Sequence, residues 1–227
     1  MSTSQTLDRG LTALALIAAA GEPPTIDGVA ADLGVHRSVA YRIIRTLEDH
    51  HLVRRDEDGR CHPGVGLAVL ARSARTAVQA AAIDELAALA NRVRLTSFLV
   101  LRDGSEAVTV ESIEPAGSLV GVSYKPGTRH PVDRGAPGIA LLAAGPPAVG
   151  ERPEVDEARR RGWASSRAEV IPGMASVAAP LVGHEASVAV ISLAADDRDE
   201  AELATAVMAA AASIADRLGT RPAATAR

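Results

Sequence analysis

One cysteine, Cys61, one lysine, Lys125, and four aromatic residues, Tyr41, Phe98, Tyr124 and Trp163, are all that this 227-residue sequence holds of these types. A single cysteine excludes an intramolecular disulfide framework and fits a reducing cytosol, so a cytoplasmic protein is expected. The scarcity of lysine, with arginine in its place, matches a compositional bias and carries no functional conclusion. No apolar run is long enough for a membrane span: the uncharged apolar stretches 11–21 and 203–215 read as alanine-rich helices. The N-terminus lacks the charged-then-apolar pattern of a signal peptide. Excess positive charge is also missing. The net charge is -4, and residues 1–75 carry nine arginines against nine acidic residues. Indiscriminate nucleic-acid binding is thereby disfavoured, and any DNA contact must come from local placement. No nucleophile elbow, H-E-x-x-H pair, Walker loop or dinucleotide fingerprint occurs. The spacing of His50, His51, Cys61 and His62 matches no common zinc pattern. Neither catalysis nor a metal or other cofactor is expected.

Length and a hydrophobic content of 47% suffice for two domains, or for one large one. The most informative stretch is 26–47, IDGVAADLGVHRSVAYRIIRTL. Ile26, Val29, Ala30 and Leu33 anchor a first short helix, with Asp27 as its expected N-cap. Gly34 suits a left-handed turn that Val35 plugs. In a second helix Ala40, Ile43, Ile44 and Leu47 recur at i, i+3, i+4 and i+7, an apolar stripe that must pack inward. Arg37, Ser38, Tyr41, Arg42 and Arg45 are then left outside, and no acidic residue lies between His36 and Leu47. Such a face suits a major groove lined by phosphates. The alternative is an ordinary helical hairpin with a solvated basic face. The segment after the second helix disfavours that alternative: 52–55 is strand-like, Asp58-Gly59 favours a tight turn, and 60–62 returns before Pro63, which reads as a wing.

Upstream, residues 7–20 read as a helix with Leu7, Leu11 and Leu14 on one face, stopped by Gly21. Downstream, 67–80 reads as a linker helix and 83–92 as a second helix. The period then changes. Residues 96–101, 107–111 and 119–124 read as strands, a Gly/Pro-rich stretch 126–138 as a loop, and 140–142 and 155–161 as short helices. Two more strands, 176–182 and 187–193, precede a closing helix over 200–218.

The runs LDRGLTALALIAAAG and TIDGVAADLGVHRSVAYRIIRTLEDHHLVRRDEDGR resemble the DNA-binding domain of the IclR family of bacterial transcriptional regulators. RRRGWASSRAEVIPGMASVAAPL resembles that family's effector-domain signature. The resemblance, over about residues 6–219, implies an α+β chain: a winged helix-turn-helix domain (1–63), a linker helix (64–80), a GAF-like α/β effector-binding and oligomerisation domain with an antiparallel sheet (81–219), and a disordered tail (220–227). It implies a homodimer, able to pair into tetramers, on double-stranded operator DNA, with a small organic acid or related polar metabolite as effector and no membrane contact. His36, Arg37, Ser38, Val39, Tyr41, Arg42, Arg45 and the wing residue Arg60 are the candidate DNA contacts. Tyr124, Arg134, Gly135, Ala136, Trp163, Ser166, Ser176 and Ser192 are the candidate effector contacts, with Trp163 expected to be the aromatic closest to the ligand. Arg134, with Lys125, Arg129 and His130 upstream, reads as a cationic clamp for an acid or, more commonly for such residues, as a solvated loop. The rival reading is a ligand sensor that acts through protein partners, its helix-turn-helix having lost DNA binding.

Overall fold

The computed structural model describes residues 4–74, 77–117 and 124–219, and the chain divides at residue 75 into two units. The first contains α1 (Gln5–Ala19), α2 (Ile26–Asp32), α3 (Arg37–Asp49), β1 (Val53–Arg55), β2 (Cys61–Pro63) and α4 (Val65–Ala74). Its core takes the whole stripe of α3, Ala40, Ile43, Ile44 and Leu47, together with Ile26, Val29 and Ala30 of α2 and Val53 and Cys61 of the wing. From α1 the core takes Ala13 and Ile17, while Leu14 is only partly buried. Leu7 and Leu11, on the same face as Leu14 by the helical period, are 62% and 57% exposed. The alanine- and leucine-rich helix has apolar groups on more than one side, and the small Ala13 allows its close approach to α3.

The turn between α2 and α3 is built by backbone chemistry that the sequence announces. Gly34 sits at φ +61, its N–H donates to Ala31 C=O, and the Val35 N–H reaches back to Ala30 C=O, both at 3.0 Å. This is a Schellman closure, with Val35 packing inward. A Cβ at Gly34 would meet nothing within 4 Å, so Gly34→Ala costs only what the left-handed conformation costs. Urea unfolding is expected to show a loss of about 1–2 kcal/mol. The N-cap of α2 is Thr25, whose side chain accepts from Gly28 N–H at 3.3 Å. Asp27, expected there, is one residue inside the helix and pairs with Arg37 at 2.9 Å. The wing pairs Arg54 with His62 and Arg55 with Cys61, and Gly59 closes its turn at φ +75, its N–H on Asp56 C=O. A bridge between Thr25 and Arg60 ties the wing to the entry of α2.

After the wing, α4 ends at Ala74 and α5 runs unbroken over Ala77–Val93. Residues 77–80, expected to end a linker helix, therefore belong to the same helix as 83–93; residues 75 and 76 lie outside those described.

The second unit continues with β3 (Thr96–Asp103), β4 (Glu106–Ile113), β5 (Arg129–Pro131), α6 (Gly135–Ala143), α7 (Pro153–Arg161), β6 (Ala164–Arg167), β7 (Met174–Pro180), β8 (Ala186–Leu193) and α8 (Glu200–Arg217). The strands form one antiparallel sheet in the order β5-β4-β3-β8-β7-β6, the expected α+β class. Side chains alternate across it. Val177, Ala179, Val188 and Val190 join α5 and α8 in one core, and Ala178, Ala189 and Ile191 join α6 and α7 in the other. Both faces are covered, which is why β8 reads as an almost continuous apolar run. The expected strand over 119–124 falls on residues outside those described, except Tyr124, which is in no strand. β5 and β6, three and four residues long, add two strands where the sequence suggests a loop or no element; Pro131 and the serines of β6 hide them from a propensity reading. Among the described residues no helix is long and apolar enough to cross a membrane.

Candidate nucleic-acid interface and ligand cavity

The exposed face of α3 begins at its cap. His36 is the N-cap, its Nδ1 accepting from Ser38 N–H at 3.3 Å with the Ser38 hydroxyl 2.9 Å away. This pins the first turn, and the imidazole is engaged in capping rather than free. His36, Arg37, Ser38, Tyr41 and Arg42 line one shallow concavity. They are not equivalent. Arg37 is held by Asp27, and Arg45 lies 3.6 Å from Asp49 one turn further on. Among the described residues Arg42 has no ion pair. Tyr41 stands 46% exposed, with the Arg55 guanidinium 5.9 Å from its ring. Arg55 is itself fixed by two bonds to Glu48, at 2.8 and 2.9 Å, so Tyr41 is buttressed where it enters the concavity. Val39 packs toward the core of the unit and leaves the exposed face.

On the wing, the Arg60 guanidinium donates to Pro23 C=O at 2.9 Å, which holds it near the start of α2. The strand register puts Arg54 opposite His62 on the outward side, exposed. Arg54 is not among the contacts expected from the sequence; its alternation with the buried Val53 is the signal that marks it. His62 is 2.7 Å from Asp56, which accounts for a wing histidine without a ligand, and among the described residues no cluster of potential metal ligands occurs.

In the second unit a cavity of about 30 Å³ lies between the sheet and the N-terminus of α6, room for about one or two waters. Phe98, Tyr124, His130, Gly135, Ser166, Glu169 and Ser176 contribute to its wall. The Phe98 and Tyr124 rings stand 4.5 Å apart between centroids, and burial pushes the Tyr124 phenol above its usual range, the Thr109 hydroxyl opposing. Ser166 and Ser176 face each other across β6 and β7. The Ser166 Oγ accepts from Ala136 N–H at 2.7 Å, and the Ser176 hydroxyl donates to Val190 C=O at 3.0 Å. Arg134 is exposed beside the cavity as the N-cap of α6, without a side-chain cap bond.

Two expected lining residues lie elsewhere. Trp163 packs against the core of α5 and α8, on the opposite face of the sheet, with Arg161 stacked 3.5 Å from its ring centre. Ser192 pairs with Ala175, out of phase with the Ser176–Ile191 pair that faces the cavity. It borders a separate depression with Arg167 and Asp196. The expected cationic clamp is also dispersed. Arg129 is paired with Asp103 and Glu106 on the surface, and only His130 of that group reaches the cavity wall.

The contacts that hold the cavity are ones the sequence does not reveal. Glu169 accepts from Gly135 N–H at 2.9 Å and from Arg152 through two bonds of 3.0 Å. The Arg152 guanidinium holds the Glu169 carboxyl below the usual carboxylate range, burial opposing. Arg152 also donates to Asp133 C=O at 2.8 Å, binding the entry of α6 to that of α7. No local signal connects Glu169 with a helix that starts 34 residues earlier.

Comparison with known proteins respects the same division. Residues 6–57 match the model of the IclR helix-turn-helix domain. No curated protein matches the sequence. In structure the chain is similar to an IclR transcriptional regulator from Alicyclobacillus acidocaldarius, at 24% identity and a TM-score of 0.74, over 95% of this chain and 99% of the other. It is similar to the Thermotoga maritima IclR at 23% identity and a TM-score of 0.73, over 94% and 98%. An IclR homolog from Microbacterium hydrocarbonoxydans, solved in complex with 4-hydroxybenzoate, superposes with a TM-score of 0.78 at 18% identity, over 96% of this chain and 100% of the other. At these identities the likeness establishes the fold.

Proposed function

We propose that this chain, whose first domain is an IclR helix-turn-helix and whose fold is that of IclR transcriptional regulators, binds a pseudo-palindromic operator as a homodimer and answers to a small-molecule effector held in its second unit. The observation that carries the reading is the outer face of α3, free of acidic residues from Arg37 to Leu47, where Ser38, Tyr41 and Arg42 surround one concavity. Side chains near the N-terminal end of such a helix enter the major groove, and those further along meet the backbone. Arg42, without an ion pair among the described residues, gives up none on binding a base edge. Arg45 gives up only a long, exposed pair with Asp49, and such pairs are worth about 0–1 kcal/mol. Arg54 and Arg60 on the wing are the proposed phosphate contacts.

The test is fluorescence anisotropy of the purified chain with duplex DNA from upstream of its own gene and with a scrambled duplex, over a range of salt. The expected result is a preference of about a thousandfold or more for the first. Equal affinity for the two duplexes would sink the operator reading. Binding to neither would favour a sensor acting through protein partners.

Dimerisation is supported by apolar surface that the first unit leaves uncovered: Leu7 and Leu11 on α1, and Val65 and Val69, 74% and 65% exposed, on α4. A lone recognition helix reads too few bases for operator affinity, and two-fold pairing supplies the second half-site. Light scattering is expected to give twice the 23.3 kDa chain mass at micromolar concentration, and Leu7→Glu with Leu11→Glu is expected to shift it toward monomer. A wild-type monomer, with or without DNA, would contradict this.

The effector is a small organic acid or related polar metabolite, with Tyr124, Ser166 and Ser176 among its contacts. By linkage it changes DNA affinity by the factor by which DNA changes its own.

A further inference from the structure

Where the cavity meets the start of α6, a carboxylate of the chain itself, Glu169, accepts from Gly135 N–H and Arg152. We propose that Glu169 is an internal occupant of the effector's anion position, and that a carboxylate ligand enters by taking its place on Gly135 N–H and Arg152. The inference rests on reading this cavity as the effector site.

Three observations converge on it. The Gly135 N–H, at the start of the nine-residue α6, and the forked guanidinium of Arg152 both point at Glu169, at 2.9, 3.0 and 3.0 Å. A helix N-terminus with an adjacent guanidinium is a receptor for any carboxylate. His130 lines the same cavity at 5% exposure. Its Nδ1 is 3.0 Å from Pro131 C=O, while the buried Nε2 has no partner, so a polar group is wanted there that the chain does not supply. Finally, about 30 Å³ is too little for a metabolite, and the Glu169 side chain, 26% accessible at the rim, fills space that its withdrawal would give to a ligand. Arg152 keeps this carboxyl ionised, so it competes as an anion. An internal competitor lowers apparent ligand affinity by the fraction of time that it is bound.

The probes are acetate and its neutral analogue acetamide, with chloride at equal ionic strength. Glu169→Ala is expected to melt lower than the wild type, to be restored by acetate and not by acetamide or chloride, and to bind acetate at least tenfold more tightly than the wild type. Glu169→Gln, which keeps the shape and an acceptor for Gly135 N–H, is expected to respond no more than the wild type. If Glu169→Ala does not fold, Glu169→Ser carries the same comparison. Equal response of variant and wild type to acetate, or equal rescue by acetamide, overturns the proposal. Acetate rescue with no compound ever altering DNA affinity would keep Glu169 as the occupant of a carboxylate site but overturn the assignment of that site to an effector. A neutral ligand that alters DNA affinity, without acetate rescue of Glu169→Ala, would do the reverse.

Discussion

Gly138→Ala is expected to lower the stability of the second unit by about 3 kcal/mol or more, the upper end of what overpacking costs. For a chain of this size that corresponds to a fall of about 6–12 °C in Tm. A Cβ at this position would lie 2.3 Å from Val132 C=O oxygen and 2.9 Å from its carbon. Both are backbone atoms, so no rotamer change relieves the clash. Val132 cannot retreat cheaply, because it is buried and its N–H donates to Ser105 C=O at 2.9 Å. Nor can α6 move away. Ala136, Ile139 and Ala140 are fully buried against the sheet, and Pro137 C=O accepts from the buried Ser187 hydroxyl at 3.1 Å. The same substitution at Gly10, where a Cβ meets nothing within 4 Å, is expected to be neutral or stabilising by up to about 1 kcal/mol, because it only removes glycine from a helix interior. Thermal unfolding of the two variants side by side makes the comparison. Gly138→Ala melting with the wild type would mean that α6 and the Val132 segment are not in the close contact described.

The second large effect is expected at the DNA. Arg42→Ala should cost about 1–3 kcal/mol at the operator and relax the preference at one base position. Arg45→Ala should weaken operator and random DNA alike and reduce the slope of log affinity against log salt by about one. The difference comes from position on α3. Arg42 belongs to the concavity with Ser38 and Tyr41, and Arg45 is a turn further from the helix start, beside Asp49. Both side chains are exposed, so neither substitution should disturb folding, and circular dichroism of the variants serves as the control. Unchanged affinity and salt dependence in both variants, with the fold intact, would mean that this face does not meet DNA.

The parts of this molecule that are legible in the sequence are those with one-sided or local causes. The buried stripe of α3, the left-handed Gly34 and the Asp58-Gly59 wing turn each depend on residues within one or two turns of chain. The α2 cap is a near miss of the same kind: Thr25 and Asp27 both offer a side-chain acceptor, and the choice turns on where the chain leaves Pro24. Trp163 and Ser192 show a different limit. In a sheet covered on both faces, apolar content no longer marks which side is inward, so a one-residue error in phase carries a side chain to the opposite face. The Glu169–Gly135–Arg152 contacts are illegible because they join three segments far apart in sequence, and only the fold brings the carboxylate to the start of α6.

Operator binding by a two-fold dimer is tested most directly by nuclease footprinting of the protein on DNA upstream of its own gene. Two protected half-sites in inverted orientation are expected, with centres about 34–36 Å or a multiple of that apart, and with the protection lost in Arg42→Ala at concentrations that saturate the wild type. Even protection along the fragment, or none, from a folded dimer would contradict operator recognition by this helix.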